Sequence, residues 1–456
     1  MRNRLIQVHL LLAVLALFGA AAMPASATQP LRVSSNGHAL VTANGTPFFW
    51  MADTNWRLYK LTNSQIDTYL SNRKAKKFNV IQGPVLLHSS DSPEYADSNG
   101  EINNNPNDPN MNWFNHIDDI VDKADALGMY VALVAVWGDD WDIFGSPSNA
   151  HDYGQWLGQR YRYKDNVVWI VAGEYSASGT DAQIMNTWDA LGQGLAEGSN
   201  GNQLITIHGS YQEGQQSSSI FFQNASWLDF NMIQSSQSGN FGIGADNWNL
   251  VIADYALTPR KPTLDAEANY ENVDGWDAFG VRRRAYWSVF AGACGHTYGA
   301  NSVWNSYRYG DDPTDTGSVD PWNVAMNYPG AYDMKNLRRL IESRPMLKRS
   351  PSNSLVVSGT GGLPNHIQAM RGSSGRYAMI YIPQSHFTVT VDMNRISGSQ
   401  AKAWWYNPRN GAATYIGTYA TSGNRHFTTP SGQDWVLVLD DKSKNYPKPG
   451  IGGPLP

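Results

Sequence analysis

From about residue 30 to residue 345, short apolar runs alternate with amphipathic stretches. The runs are 47–52, 78–83, 129–137, 167–173, 203–208, 227–233, 262–267 and 293–299, none longer than nine residues. Runs this short with little polar alternation read as strands covered on both faces. Between them, 65–76, 113–127, 150–163, 182–196 and 279–291 place apolar residues at three- and four-residue spacing, the period of a helix with one buried stripe. The fifth and sixth connections are less regular. Eight strands, each followed by a helix or helix-like connection, predict a (β/α)8 TIM barrel, whose site is built by loops at the carboxyl ends of the strands. An open doubly wound sheet is the rival, but no Gly-x-Gly-x-x-Gly follows the first strand. Ahead of that strand, residues 31–43 and the turn dipeptides Asn36-Gly37 and Asn44-Gly45 predict a small β-flap over the barrel's amino end.

After residue 350 the period becomes two, in 377–382, 387–393, 401–406 and 435–439, with turn residues at short intervals. That rhythm predicts an all-β sandwich. The expected organisation is therefore a barrel domain over 28–348, a C-terminal β-sandwich over 349–441 and a Pro/Gly-rich tail, 442–456, expected to be disordered. Residues 1–27 open with Arg2 and Arg4, continue through an apolar core and end Ala25-Ser26-Ala27, the layout of a cleavable secretory signal. A secreted protein is expected, extracellular or periplasmic, with no membrane span once the signal is removed.

Charge and composition narrow the partners. With 34 basic and 39 acidic residues the chain carries a net −5, and loss of residues 1–27 removes two arginines and no acid. No basic stripe is visible, so nucleic acid is not an expected partner. The lone Cys294 cannot form an internal disulfide, so the fold must rest on its core. Seventeen Trp and 23 Tyr beside only 16% charged residues fit either a large aromatic core or surfaces that stack on sugar rings. A monomer is expected, with no cofactor and no metal.

Two strand ends carry the candidate chemistry. The fourth run, Val167 to Gly173, is uncharged and then delivers Glu174; the seventh reads Pro262-Thr263-Leu264-Asp265-Ala266-Glu267. By alternation, Val168, Ile170, Ala172 and Glu174 share one face, as do Asp265 and Glu267. Asp265 would then lie a layer deeper, as a structural acid, the favoured reading, or as the partner of an arginine such as Arg283, and Glu271 would be a solvated loop residue. Glu174 and Glu267 are 93 residues apart, three βα units at roughly 30 residues each. Strands four and seven face each other across a barrel mouth, and a carboxylate pair there suits glycoside hydrolysis. Asp53, Trp56, Gln82, Trp137, His208, Tyr270, Tyr298 and Trp304 fall at or just after strand ends, as candidate sugar contacts. Asp139, Asp140 and Asp142 read as solvated loop charge, and Asp311-Asp312-Pro313-Thr314-Asp315 lacks the ligand spacing of a calcium loop.

The chain resembles the apiosidase-like glycoside hydrolases that carry a C-terminal β-module of the collagen-binding type. The likeness rests on Pro47-Phe48-Phe49-Trp50, Asp53-Thr54-Asn55-Trp56, Phe78-Asn79-Val80-Ile81-Gln82, Trp137-Gly138, Asn149-Ala150 and Tyr153-Gly154. It continues through Thr206-Ile207-His208, Asp265-Ala266-Glu267, Tyr270-Glu271 and Thr297-Tyr298-Gly299, and in the module through Trp405-Tyr406-Asn407-Pro408 and Asp434-Trp435-Val436-Leu437. The resemblance implies a retaining glycosidase with the nucleophile at Glu267 and the acid/base at Glu174. One departure stands out: the family commonly ends its fourth strand in Gly-Gly-Asp, where this chain has Ala172-Gly173-Glu174, one methylene longer. A different reading is a carbohydrate- or matrix-binding protein with an inactive barrel, against which the two intact carboxylates argue. The chain lacks His-Glu-x-x-His, Gly-x-Ser-x-Gly and a phosphate loop, the signatures of zinc peptidases, serine esterases and nucleotide enzymes.

Overall fold

A computed structural model describes residues 28–86, 106–212, 214–235, 246–311 and 317–455. The segment read as a secretory signal, and Asp312 to Asp315, lie outside the described residues. Eight parallel strands form one sheet: β4 (Trp50–Thr54), β5 (Val80–Pro84), β6 (Tyr130–Val134), β7 (Val167–Ile170), β8 (Ile205–Thr206), β9 (Asn231–Gln234), β10 (Thr263–Glu267) and β11 (Gly295–Tyr298). The sheet runs from β8 through β4 to β9, and the β8–β9 seam is bridged by Asp229 N to Ile205 O (2.9 Å) and Thr206 Oγ1 to Phe230 O (2.7 Å). The barrel of the sequence reading is thereby closed. Outside it lie α1 (Asn63–Ala75), α2 (Met111–Ala126), α3 (Pro147–Tyr161), α4 (Ala182–Ser199), the short α5 (Ser219–Phe222), α6 (Asn247–Tyr255), α7 (Ala278–Phe290), the short α8 (Trp322–Ala325) and α9 (Pro329–Glu342). The weak fifth and sixth connections carry the four-residue α5 and the nine-residue α6.

Two apolar layers separate by alternation. Ala52, Val80, Ala132, Val134, Val168, Ile170, Met232, Leu264 and Ala266 fill the barrel interior, whereas Met51, Ile81, Val131, Leu133, Trp169 and Ile233 pack outward against the helices. The expected run 47–52 divides in two. Pro47–Phe48 is a flap strand, β3, paired with β2 (Leu40–Thr42), which pairs with β1 (Leu31–Val33). Both flap turns use a glycine in left-handed backbone, Gly37 at φ +75° and Gly45 at φ +85°. Leu31, Leu40 and Phe48 then close the amino end over Trp50, Tyr130 and Phe230.

The C-terminal domain has a six-stranded sheet ordered β12 (Arg349–Pro351), β14 (Gln368–Gly372), β15 (Tyr377–Ile382), β20 (Trp435–Asp441), β17 (Gln400–Tyr406) and β18 (Ala413–Ala420). Facing it is a three-stranded sheet of β13 (Val356–Ser358), β16 (Thr388–Asp392) and β19 (Asn424–Thr428). Ala378, Ile380, Ile382, Leu437 and Leu439 point between the sheets, while Tyr377, Met379, Tyr381, Val436 and Val438 join the apolar layer of the barrel helices. Both faces of β15 and β20 are thus buried, and one surface of the sandwich is built onto the barrel.

Buried charge fixes that junction. Asp434 accepts from Arg282 Nε and Nη2 (2.9 Å each), Arg409 Nη1 (2.8 Å) and the Tyr381 hydroxyl (3.0 Å), and Arg282 also reaches Asp333 on α9. Removing one partner of a buried charge network leaves the others uncompensated. Asp434→Ala is expected to cost about 3 kcal/mol, read as a lowered denaturant midpoint; a shift under about 0.5 kcal/mol, typical of surface sites, would contradict the assignment.

The tail does not follow its composition. Instead of lying free, it docks back on the barrel: Gly450 N donates to Ser343 Oγ (3.2 Å), Arg339 Nε to Gly450 O (3.1 Å) and Met346 N to Leu455 O (3.1 Å). The composition of a Pro/Gly stretch describes its intrinsic flexibility and is silent about such partners.

Candidate active site

Glu174 does not reach the mouth by simple alternation. Val168 and Ile170 face the interior, but Ala172 packs in the outer layer, so the expected shared face ends at Ile170. Glu174 itself sits at φ +46°, a left-handed conformation that costs a side-chain-bearing residue on the order of 1 kcal/mol and turns the chain at the strand end. Gly173 bridges to Trp137, and a β-carbon added there would lie 2.4 Å from the Trp137 ring. The indole therefore lies against the backbone immediately before the acid. Gly173→Ala is expected to displace Trp137 and lower kcat/KM by about tenfold or more with the fold retained; unchanged kinetics would show that this contact does not set the site.

The seventh strand is corrected more sharply. Asp265 and Glu267 do not share a face: Asp265 pairs with Ile233 and Glu267 with Gln234, so a β-bulge falls between them. Asp265 points outward, accepting from Asn247 Nδ2 (2.8 Å) on α6 and Ser235 Oγ (3.2 Å). Its role is structural, and the arginine in its field is Arg284, not Arg283. The bulge turns Glu267 inward beside Gln234. Gln234 Nε2 is 2.8 Å from Glu174 Oε1 and 3.3 Å from Glu267 Oε1, so those oxygens lie no farther apart than the two distances laid end to end.

Charge in this pair is distributed unequally. Burial, and then the nearby Glu267, push the Glu174 carboxyl up to about 7, while the Gln234 amide and His208 act in the opposite sense. His208 Nδ1 lies 2.7 Å from Gly209 O, a group that can only accept, so this nitrogen carries a hydrogen. His208 Nε2 lies 3.3 Å from Glu267 Oε2. A neutral ring would direct a lone pair at that carboxylate, whereas an imidazolium donates to it. Burial opposes the charge on His208, but its hydrogen bond and attraction to Glu267 outweigh this and raise its pKa.

The other expected contacts divide. Trp56, Trp137 and His208 stand around the pair, with ring centroids 5.1 Å apart for Trp56–Trp137 and 5.7 Å for Trp56–His208. Trp56 Nε1 donates to the Tyr270 hydroxyl (3.0 Å), which also hydrogen-bonds Glu267. Trp304 packs against the same inner cluster, its ring 5.6 Å below the Arg57 guanidinium. Three expected residues belong elsewhere. Asp53 is buried among the helices, bound to Arg73 Nε (2.7 Å) and the Tyr69 hydroxyl on α1. Gln82 spends its amide inside the barrel on Thr54 Oγ1 (2.9 Å) and Ala266 O (3.1 Å), steadying the strand that bears Glu267. Tyr298 donates to Glu271 (2.5 Å) on the outer side. Glu271 is not solvated: it is buried and accepts from Gly330 N at the first turn of α9 (2.9 and 3.1 Å), where helix polarity favours an anion.

The loop acids also shift. Asp140 is buried in a 3₁₀ turn, Asp139 adds to the field on Glu174, and Asp311 is paired with Lys60 (2.7 Å). Gln234 was the residue missed. Its signal was a polar side chain in step with the inward-facing Phe230 and Met232.

A closed barrel with two carboxylates meeting at its mouth, backed by indoles, is the architecture of a glycoside hydrolase. The model of the "Apiosidase-like, catalytic domain" matches residues 34–348, and the chain belongs to that family. Residues 350–440 match the model described as "Putative collagen-binding domain of a collagenase". Among solved structures, one titled "Glycoside hydrolase" is 32% identical with a TM-score of 0.82, covering 92% of this chain and 98% of its own. A glycoside hydrolase family 5 protein from Bacteroides vulgatus is 30% identical with a TM-score of 0.83, covering 93% and 96%. No curated protein sequence matches the chain.

Proposed function

We propose that the protein is a secreted retaining O-glycosyl hydrolase acting on a polysaccharide or an oligosaccharide side chain. The observation that carries this reading is the single Gln234 amide spanning Glu174 and Glu267 (2.8 and 3.3 Å). One amide within reach of both carboxyls keeps the pair close together, which supports the ~5–5.5 Å separation of a retaining site over the ~6.5–9.5 Å of an inverting one. Glu267, held by His208 and Tyr270, is the nucleophile. Glu174, kept protonated by burial and by its neighbour, protonates the leaving oxygen and then, as a carboxylate, activates water. Trp56, Trp137 and Trp304 offer flat faces and edges to the sugar.

The test is a panel of plant and microbial polysaccharides incubated with the mature protein, with released sugars followed by mass. Release of one sugar species that is lost on Glu267→Ala supports the reading. No release from any substrate, with tight binding to one of them, would favour a lectin-like protein with an inactive barrel.

A further inference from the structure

At the end of the barrel opposite Glu174 and Glu267, the flap, the end of α6 and the junction with the C-terminal domain enclose a cleft of about 470 Å³. That volume lies in the range of small-ligand pockets, ~300–1,000 Å³. Its lining includes Ser35, Tyr255, Lys348, Arg349, Ser350 and Ser373, and contains no carboxylate. The chain as a whole is net negative, so a lining of this sign is a local feature.

Two observations on the polar groups point the same way. Arg349 is held by Val289 O (2.7 Å) and Ala293 O, both neutral acceptors, and has no carboxylate partner among the described residues. Among the described residues, the groups that favour its charge are Tyr377, Cys294 and Tyr255, none of them anionic at neutral pH. Arg349 is half-buried and lines the cleft, so an anion arriving there would supply the counter-charge that its carbonyl partners do not. Second, the exposed Lys348 ammonium and the exposed or half-buried Ser35, Ser350 and Ser373 hydroxyls line the cleft and make no hydrogen bond to other described residues, which leaves them open to a ligand. Cation and hydroxyl donors with no competing acid are the donor set that binds oxyanions. Tyr255, stacked on His38 with centroids 3.8 Å apart, supplies an aromatic wall beside them.

We infer that this cleft is a second binding site, for an oxyanion: the carboxylate of an acidic sugar or a free inorganic oxyanion. If the barrel cleaves polysaccharide, as proposed above, a site at the far end would hold a remote acidic residue of the same or a neighbouring chain. Binding is testable without turnover, so failure of one reading leaves the other intact.

The experiment titrates the full mature protein with glucuronate, glucose and inorganic phosphate by calorimetry, and repeats it with Lys348→Glu. Lys348 is exposed and far from the carboxylate pair, so this variant should fold and keep its activity on a small neutral substrate. The expected result is saturable glucuronate binding that Lys348→Glu weakens by about tenfold or more, with no binding of glucose. Phosphate competing as well as glucuronate would support the site in its free-oxyanion form. A second variant, Ser350→Ala with Ser373→Ala, should weaken binding several-fold. Absence of saturable binding by both anions, or anion affinity unchanged in Lys348→Glu, would overturn the proposal.

Discussion

Glu267→Ala is expected to lower turnover by on the order of 10⁴-fold or more, the scale seen when a covalent nucleophile is removed. The reason lies in how this side chain is held. The bulge after Asp265 turns it inward, His208 Nε2 lies 3.3 Å away, and the Tyr270 hydroxyl makes a further hydrogen bond. Stability should change little, because the variant also removes a buried carboxylate, and Tyr270 keeps its hydrogen bond from Trp56. Kinetics and a thermal melt on the same preparation check both halves. Retained activity would remove Glu267 from the mechanism, and a collapsed melt would make the kinetic loss uninformative.

The second large effect concerns Glu174 and pH. In the proposed role of proton donor it must be protonated, and its carboxyl is raised to about 7, first by burial and then by Glu267. Activity should therefore fall as pH rises through about 7, by roughly tenfold per unit beyond it. In Glu174→Gln, turnover should drop by about 10²–10⁴-fold, the usual contribution of a general acid–base group, and the alkaline limb should disappear. Stability carries an independent signature. A carboxyl with a raised folded pKa binds its proton more tightly in the folded state, so the wild type loses stability as pH rises from the ordinary carboxylate range through about 7. Glu174→Gln should accordingly be more stable than wild type at pH 8, by a few kcal/mol at most, and lose that advantage at pH 4. A pH profile identical in wild type and variant would show that Glu174 is not the titrating acid.

The candidacy of these two residues rests on local signals, an acid at the end of each of two buried strands at a spacing of three βα units. What escaped was whatever depends on contacts across the fold. Alternation placed Asp265 and Glu267 on one face, and only the pairing of β10 with β9 reveals the bulge that separates them. Asp53 and Tyr298 sit at strand ends, where site residues belong, yet each faces the helices, bound to Arg73 and Glu271. Strand-end position narrows the candidates, but the face of the strand decides. Glu271 carried no cue that α9 would deliver a free amide to it from about 60 residues away. The β-sandwich was visible as a period-two pattern, whereas its fusion to the barrel lies in β15 and β20, which are apolar on both faces.

The carboxylate separation makes the stereochemistry of the product the sharpest measurement. With the cleaved sugar followed by proton NMR in the first minutes of reaction, before the anomers equilibrate, a site built on Glu174 and Glu267 predicts a product with the anomeric configuration of the substrate. A product of inverted configuration would mean that water attacks directly, and that Glu267 is not a nucleophile.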